Sequence, residues 1–317
     1  MKRFLLICLA VLLGLSLTGC KREIVSDRVS EEEWKEILSA DYDSFTVNVK
    51  NKQTYDGKTY NSEYSIYYID GLQFREYQMK LTESSPSVKV IDYTLWYKDF
   101  AFFRNMGISY QANEPYLYYT ASVKKQNYRG LFSDYIDEYE SFSYVSSAKG
   151  YKKTNENGDI LILKFKDGKA VELKEKTDYY SGTASITDFN ATEVEKPINY
   201  FIEDDNLFEL VDGKYYFLAS FKEAEDIILP KTIKGENYAI KHLSVLENTK
   251  SLTLPETIIS IDKDAVLDSC QFEKIQFLGT VEQWNIVLSK TSLSSQDFFR
   301  GPSYNKISIQ IQCSDSE

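Results

Sequence analysis

The 317-residue chain carries 37 Lys and Arg against 48 Asp and Glu, a formal charge of −11, with 43% hydrophobic and 15% aromatic residues. That apolar content excludes wholesale disorder, and the acidic balance argues against a nucleic-acid surface, which needs excess Lys and Arg. There is one histidine and no nucleophile elbow, phosphate loop, dinucleotide fingerprint or Cys-x-x-Cys, so the expectation is a non-enzymatic protein without cofactor or metal.

Lys2 and Arg3 precede an apolar run from Phe4 to Leu17. Its fourteen residues would rise only about 21 Å as a helix, short of the roughly 30 Å hydrocarbon core, so residues 1–19 read as a signal peptide. The run ends in Leu17-Thr18-Gly19-Cys20, which resembles a bacterial lipobox. The resemblance implies cleavage before Cys20 and acylation of that residue by a diacylglyceryl group carrying palmitate-like chains. The expectation is a protein anchored by lipid to the cell membrane on its extracytoplasmic face, with residues 20–29 as the tether. Losing Lys2 and Arg3 and no acidic residue takes the formal charge from −11 to −13. Of the later cysteines, Cys270 and Cys313 read as two separate buried thiols, with a disulfide as the alternative.

Ser30 opens a predicted helix, with Glu33 completing a capping box and Trp34, Ile37 and Leu38 sharing one face. From about 43 to 195 the pattern is that of strands: Phe45–Val49, Tyr64–Tyr68 and Ile160–Phe165 are rich in β-branched and aromatic residues. Asp56-Gly57, Asp70-Gly71, Asn157-Gly158 and Asp167-Gly168 suit type I′ hairpin turns, so the expected fold is an antiparallel meander. Leu131, Phe132, Tyr135, Ile136 and Tyr139 predict one interrupting helix. Asn155 to Asp159 lacks the register of a calcium loop and reads as a turn. Of 25 tyrosines, 21 lie between Tyr42 and Tyr200, as suits half-buried strand faces. The helix EEEWKEIL, the aromatic meander, ILILKFKDGKAVELK and ITDFNATEVEKP together resemble the LolA-like lipoproteins. The resemblance implies a curved antiparallel half-barrel over 30–197 whose concave face can hold acyl chains. Trp96, Phe102, Phe103 and Tyr118 are the candidate lining, chosen as aromatics on adjacent predicted strands.

Beyond Glu203-Asp204-Asp205 the texture becomes repetitive. Ile227-Ile228-Leu229-Pro230 returns as Leu252-Thr253-Leu254-Pro255 25 residues later, and Ile275-Gln276-Phe277 follows after a further 23. Such a period marks a short solenoid in which flanking apolar residues point inward and Ile228, Thr253 and Gln276 point outward. The unit Leu252–Ile261 with Asp264-Ala265-Val266 and Cys270 resembles the BspA-type leucine-rich repeat, as do Gly279–Asn285 and Ile311–Asp315 as its closing segments. On this reading residues 205–317 are a repeat domain, Trp284 caps the last coil, and the first coil docks on the preceding domain. His242 falls inside a coil and reads as structural. The resulting expectation is a monomeric binding or adhesion protein whose outward residues meet a surface protein or a glycan. The alternative is a carrier of lipid or glycolipid in the half-barrel.

Overall fold

The computed structural model describes residues 27–80, 84, 86–111, 114–126, 130, 132–262, 265, 273–290 and 310–315. The predicted leader, Cys20, the predicted tether up to residue 26, and Cys270 lie outside these residues. Among the described residues no helix is long and apolar enough to cross a membrane.

The protein is mainly β, as expected. Helix α1 (Glu31–Leu38) precedes β1 (Ser44–Tyr55), β2 (Lys58–Ile69), β3 (Leu72–Met79), β4 (Val88–Tyr97), β5 (Phe100–Gln111) and β6 (Glu114–Lys125). After two short 3₁₀ turns come β7 (Ser143–Val145), β8 (Gly150–Thr154), β9 (Ile160–Lys166), β10 (Lys169–Lys176) and β11 (Tyr180–Thr187). These eleven strands form one sheet in the order β6-β5-β4-β3-β2-β1-β11-β10-β9-β8-β7. Asp-Gly turns build the hairpins because both residues take positive φ: 48° and 71° at Asp56-Gly57, 49° and 76° at Asp70-Gly71, 49° and 67° at Asp167-Gly168.

Two local expectations are corrected. The predicted interrupting helix is replaced by 3₁₀ turns at Ser133–Tyr135 and Tyr139–Ser141. Neither turn has a side-chain cap. At Asn157-Gly158 only Gly158 has positive φ, 83°. There the Asn155 side-chain oxygen accepts from the amides of Asn157 and Asp159, both at 2.9 Å, closing an Asx-type loop instead of a I′ turn.

The described chain divides into two compact units, with β1, β2 and β11 contributing to both. The first unit comprises α1, Asn51–Tyr60 and Gly130–Ser185, and its core gathers around Trp34. The Ser30 side chain accepts from the Glu33 amide at 3.2 Å and the Glu33 carboxylate accepts from the Ser30 amide at 2.8 Å, so the capping box is complete. The rings of Tyr139, Phe142, Tyr151 and Phe165 lie 5.1–5.6 Å from that of Trp34. The indole N–H donates to the Tyr135 carbonyl at 2.9 Å, satisfying its one polar atom.

In the second unit, Leu72, Phe74, Tyr93, Leu95, Phe102 and Val123 on one face of β3–β6 form a core with Ile198, Leu207, Leu218, Ala219, Phe221 and Leu246. Most of these covering residues come from β13 (Asn206–Val211), β14 (Lys214–Ser220) and the residue after it, which pair in a sheet of order β12-β13-β14-β16 with β12 (Tyr200–Glu203) and β16 (Tyr238–Ser244). Docking on the meander is therefore done mainly by an antiparallel hairpin, with Leu246 of the first coil joining it. Ile227 and Leu229 of that coil belong to a separate core.

That core joins Phe208 and Phe217 of the hairpin and Tyr238 and Ile240 of β16 to four short parallel strands, β15 (Asp226–Ile228), β17 (Ser251–Leu254), β18 (Lys274–Phe277) and β19 (Gln310–Cys313), stacked in that order. Ile227, Leu252 and Ile275 are in register and almost fully buried, and Ile311 continues their row. Helix α2 (Val281–Ser289) closes this region, its buried Trp284 ring 5.1 Å from Phe277.

Candidate functional site

The parallel stack produces a second row on its outer side. Ile228, Thr253, Gln276 and Gln312 are register partners, one per strand and about 4.8 Å apart. Ile228 is 64% exposed, and Gln276 and Gln312 are also exposed. The three outward residues expected from the repeat are thus brought into one line. Gln312 extends it and was missed, although Ile311-Gln312-Cys313 shows the same apolar–polar–apolar alternation.

One end of this row opens into a groove of about 570 Å³ lined by Ile228, Pro230, Lys231, Pro255, Glu256 and Leu278, among others. The Leu-Pro steps make it: each proline ends a strand, since it has no N–H for the ladder, and turns the chain into the return arc. Leu278, 45% exposed, sits where the third coil makes the same turn, and its amide donates to the Leu254 carbonyl at 3.0 Å. On the rim Lys231 and Glu256 pair at 2.7 Å, and the ammonium group holds the Glu256 carboxyl below its usual pKa. Beneath the groove Asn206 is fully buried; its side-chain amide donates to the Asp204 carbonyl, and its oxygen has no hydrogen-bond partner among the described residues. The surface therefore offers aliphatic contact flanked by amide, hydroxyl and paired charge.

His242, the one imidazole, lies on β16 and is 5% exposed. Burial, then the Arg104 and Lys241 charges, push its pKa down to about 3, so it is neutral at physiological pH. Lys241 is taken up by Glu209 at 2.5 Å, and Arg104 donates to the Tyr93 hydroxyl at 3.4 Å. Burial pushes the Tyr93 phenol up to about 12. This group is packed into the fold on strands away from the outward row.

The four aromatics proposed to line an acyl-chain cavity do not form one wall. In the β4–β5 ladder Leu95 pairs with Phe102, Trp96 with Ala101 and Thr94 with Phe103. Alternation puts Phe102 on the face opposite Trp96 and Phe103. Phe102 is fully buried in the core completed by Leu207 and Leu218. Trp96 and Phe103 are half-buried, and the Trp96 ring lies 6.3 Å from that of Tyr68. Tyr118 occupies the β6 position opposite Gly107. Adjacent strands were read correctly, but the faces could not be assigned without the register.

The fold and this surface describe a mainly β protein that joins a large antiparallel sheet to a short stack of parallel strands with an exposed outer row. No protein-family model matches the chain, and no curated protein matches it. Among solved structures, the chain is similar to a LolA superfamily protein from Nitrosomonas europaea at 9% identity and a TM-score of 0.21, over 52% of this chain and 92% of that one.

Proposed function

We propose that the chain is a lipid-anchored extracytoplasmic lipoprotein with a non-enzymatic binding role, and that its contact surface is the outward row with its adjoining groove. The observation that supports this most is the row Ile228–Thr253–Gln276–Gln312, where an aliphatic residue at 64% exposure stands in line with hydroxyl and amide side chains. Exposed amides and a hydroxyl recognise groups that both give and accept hydrogen bonds, such as peptide bonds or sugar hydroxyls, while Ile228 and Leu278 supply apolar contact. On this reading residues 205–317 are a BspA-type leucine-rich-repeat domain, and a surface protein or glycan is the partner. The filled core around Phe102 weighs against a carrier that stores lipid on that face.

Two measurements test the reading. Labelling of producing cells with an alkyne-bearing palmitate analogue should tag the chain and fail to tag Cys20→Ser; equal labelling of both removes the anchor. Binding of the purified chain to a glycan array and to isolated bacterial envelopes should fall at least tenfold in Thr253→Glu/Gln276→Glu. Unchanged binding removes the row as the contact surface.

A further inference from the structure

Three tyrosines of the first unit stand out from the sheet: Tyr55 is 69%, Tyr60 56% and Tyr179 73% exposed. The other tyrosines whose side chains are described are buried or half-buried. The three sit at one end of the sheet. The Asp56-Gly57 turn sets Tyr55 across from Lys58, one pleat from Tyr60, and the Thr54 and Thr59 hydroxyls approach to 3.5 Å across the same hairpin. The Thr54 amide donates to the Tyr179 carbonyl at 2.8 Å, and the Tyr180 hydroxyl donates to the Asn51 side chain at 2.8 Å. These bonds lock the β1–β2 tip and the β10–β11 turn side by side. Exposed Lys52, Lys58 and Lys176 lie in the same hairpin ends as exposed Asp56, Glu175 and Asp178. The neighbouring β8–β9 turn, residues 155–159, carries no aromatic residue, so the patch is bounded.

We infer that these hairpin tips are a membrane-contact surface, with the tyrosines at headgroup level and the lysines among the lipid phosphates. Tyrosine suits that boundary because its ring is apolar and its hydroxyl is wet, and lysine can lay its stem on the apolar side and its ammonium among the phosphates. The tether permits the contact. The described chain begins at Asp27, whose carboxylate accepts from the Tyr144 hydroxyl at 3.0 Å. Tyr144 pairs with Tyr151 on β8, three residues from Thr154 at the same end of the sheet as the tips, roughly 10 Å away along the strands. Residues 20–26 can span up to ~25 Å, enough to let that end reach the bilayer. This step rests on the anchored reading. Anchoring then raises the local concentration of the patch at the membrane, so a surface too weak to bind alone can still fix the protein's orientation.

The test removes the dependence on acylation. The chain from Lys21 onward, carrying an N-terminal hexahistidine, is tethered to phosphatidylcholine/phosphatidylglycerol vesicles containing a nickel-chelating lipid. In Tyr179→Trp the added emission should shift to the blue on tethering and be quenched by phospholipids brominated on their acyl chains. In Tyr55→Ser/Tyr60→Ser/Tyr179→Trp both the shift and the quenching should diminish. An emission at 179 that stays water-exposed and unquenched on tethered protein overturns the inference. So does glycan-array binding that Tyr55→Ser/Tyr60→Ser/Tyr179→Ser abolishes while quenching is absent, which would assign the patch to sugar. Because chelation replaces the lipid, neither outcome depends on whether Cys20 is acylated.

Discussion

His242 shows how a single residue can set the chain's response to acid. Buried neutral with Arg104 and Lys241 nearby, it resists protonation to about pH 3, whereas in the unfolded chain it titrates near its ordinary value of 6.5. The folded pKa is the lower one, so the unfolded state binds the extra proton first. Stability is fully present above pH 6.5 and falls as pH drops toward 3. Between pH 7 and pH 5, before most carboxylates titrate, this one group should remove about 2 kcal/mol. Urea titrations at the two pH values should show that loss in the native chain and a much smaller one in His242→Leu; equal losses would mean the imidazole is not the cause. Trp34 makes the opposite point, since its importance comes from packing. It has no exposed surface, four rings lie against it and its N–H is bonded. Trp34→Ala should cost roughly 3–5 kcal/mol and lower the midpoint of the first unit's transition in the same assay.

At the scale of single elements, α1 is eight residues long, too short to persist alone, and holds through its cap and its buried face. Ser30→Ala should cost about 1 kcal/mol, with Ser30→Asp retaining most of that stability because the carboxylate can still accept from the Glu33 amide. Thermal melts of the two variants check it. The sequence made this element readable because every determinant is local: cap, acidic first turn and a buried triplet lie within nine residues. The Asp-Gly hairpins and the 25-residue return of the Leu-Pro step were readable for the same reason. The segment near Tyr135 was not, because the apolar spacing that suggested a helix there serves ring contacts instead, of Tyr135 with Phe142 and of Tyr139 with Trp34. The outward row could be aligned from the repeat alone. Its groove could not, since Asn206, Ile228, Pro255 and Leu278 meet only after distant segments are stacked.

For the molecule as a whole, the more consequential unread feature is the core shared by β3–β6 and the β13–β14 hairpin. No local pattern at Leu72, Leu95 or Phe102 announces that the partners are Leu207, Leu218 and Phe221. A chain ending at Asp204 would leave those meander residues without their cover. Such a fragment should bind a hydrophobic dye and unfold without a sharp transition, whereas the chain from Asp27 to Glu317 should do neither. Two-state unfolding of the short fragment with no dye binding would show that the meander is complete by itself.

That shared core also sets an order in time. Phe102 and Leu218 are 116 positions apart, and a ribosome adding about 5–20 residues per second needs on the order of ten seconds to supply the second after the first. Throughout that interval the aromatic face of β3–β6 has emerged with nothing to cover it. The strands made early must wait, open and prone to pair with other chains, for a hairpin made late. A protein built this way depends on being kept apart from its neighbours until its last third has been delivered.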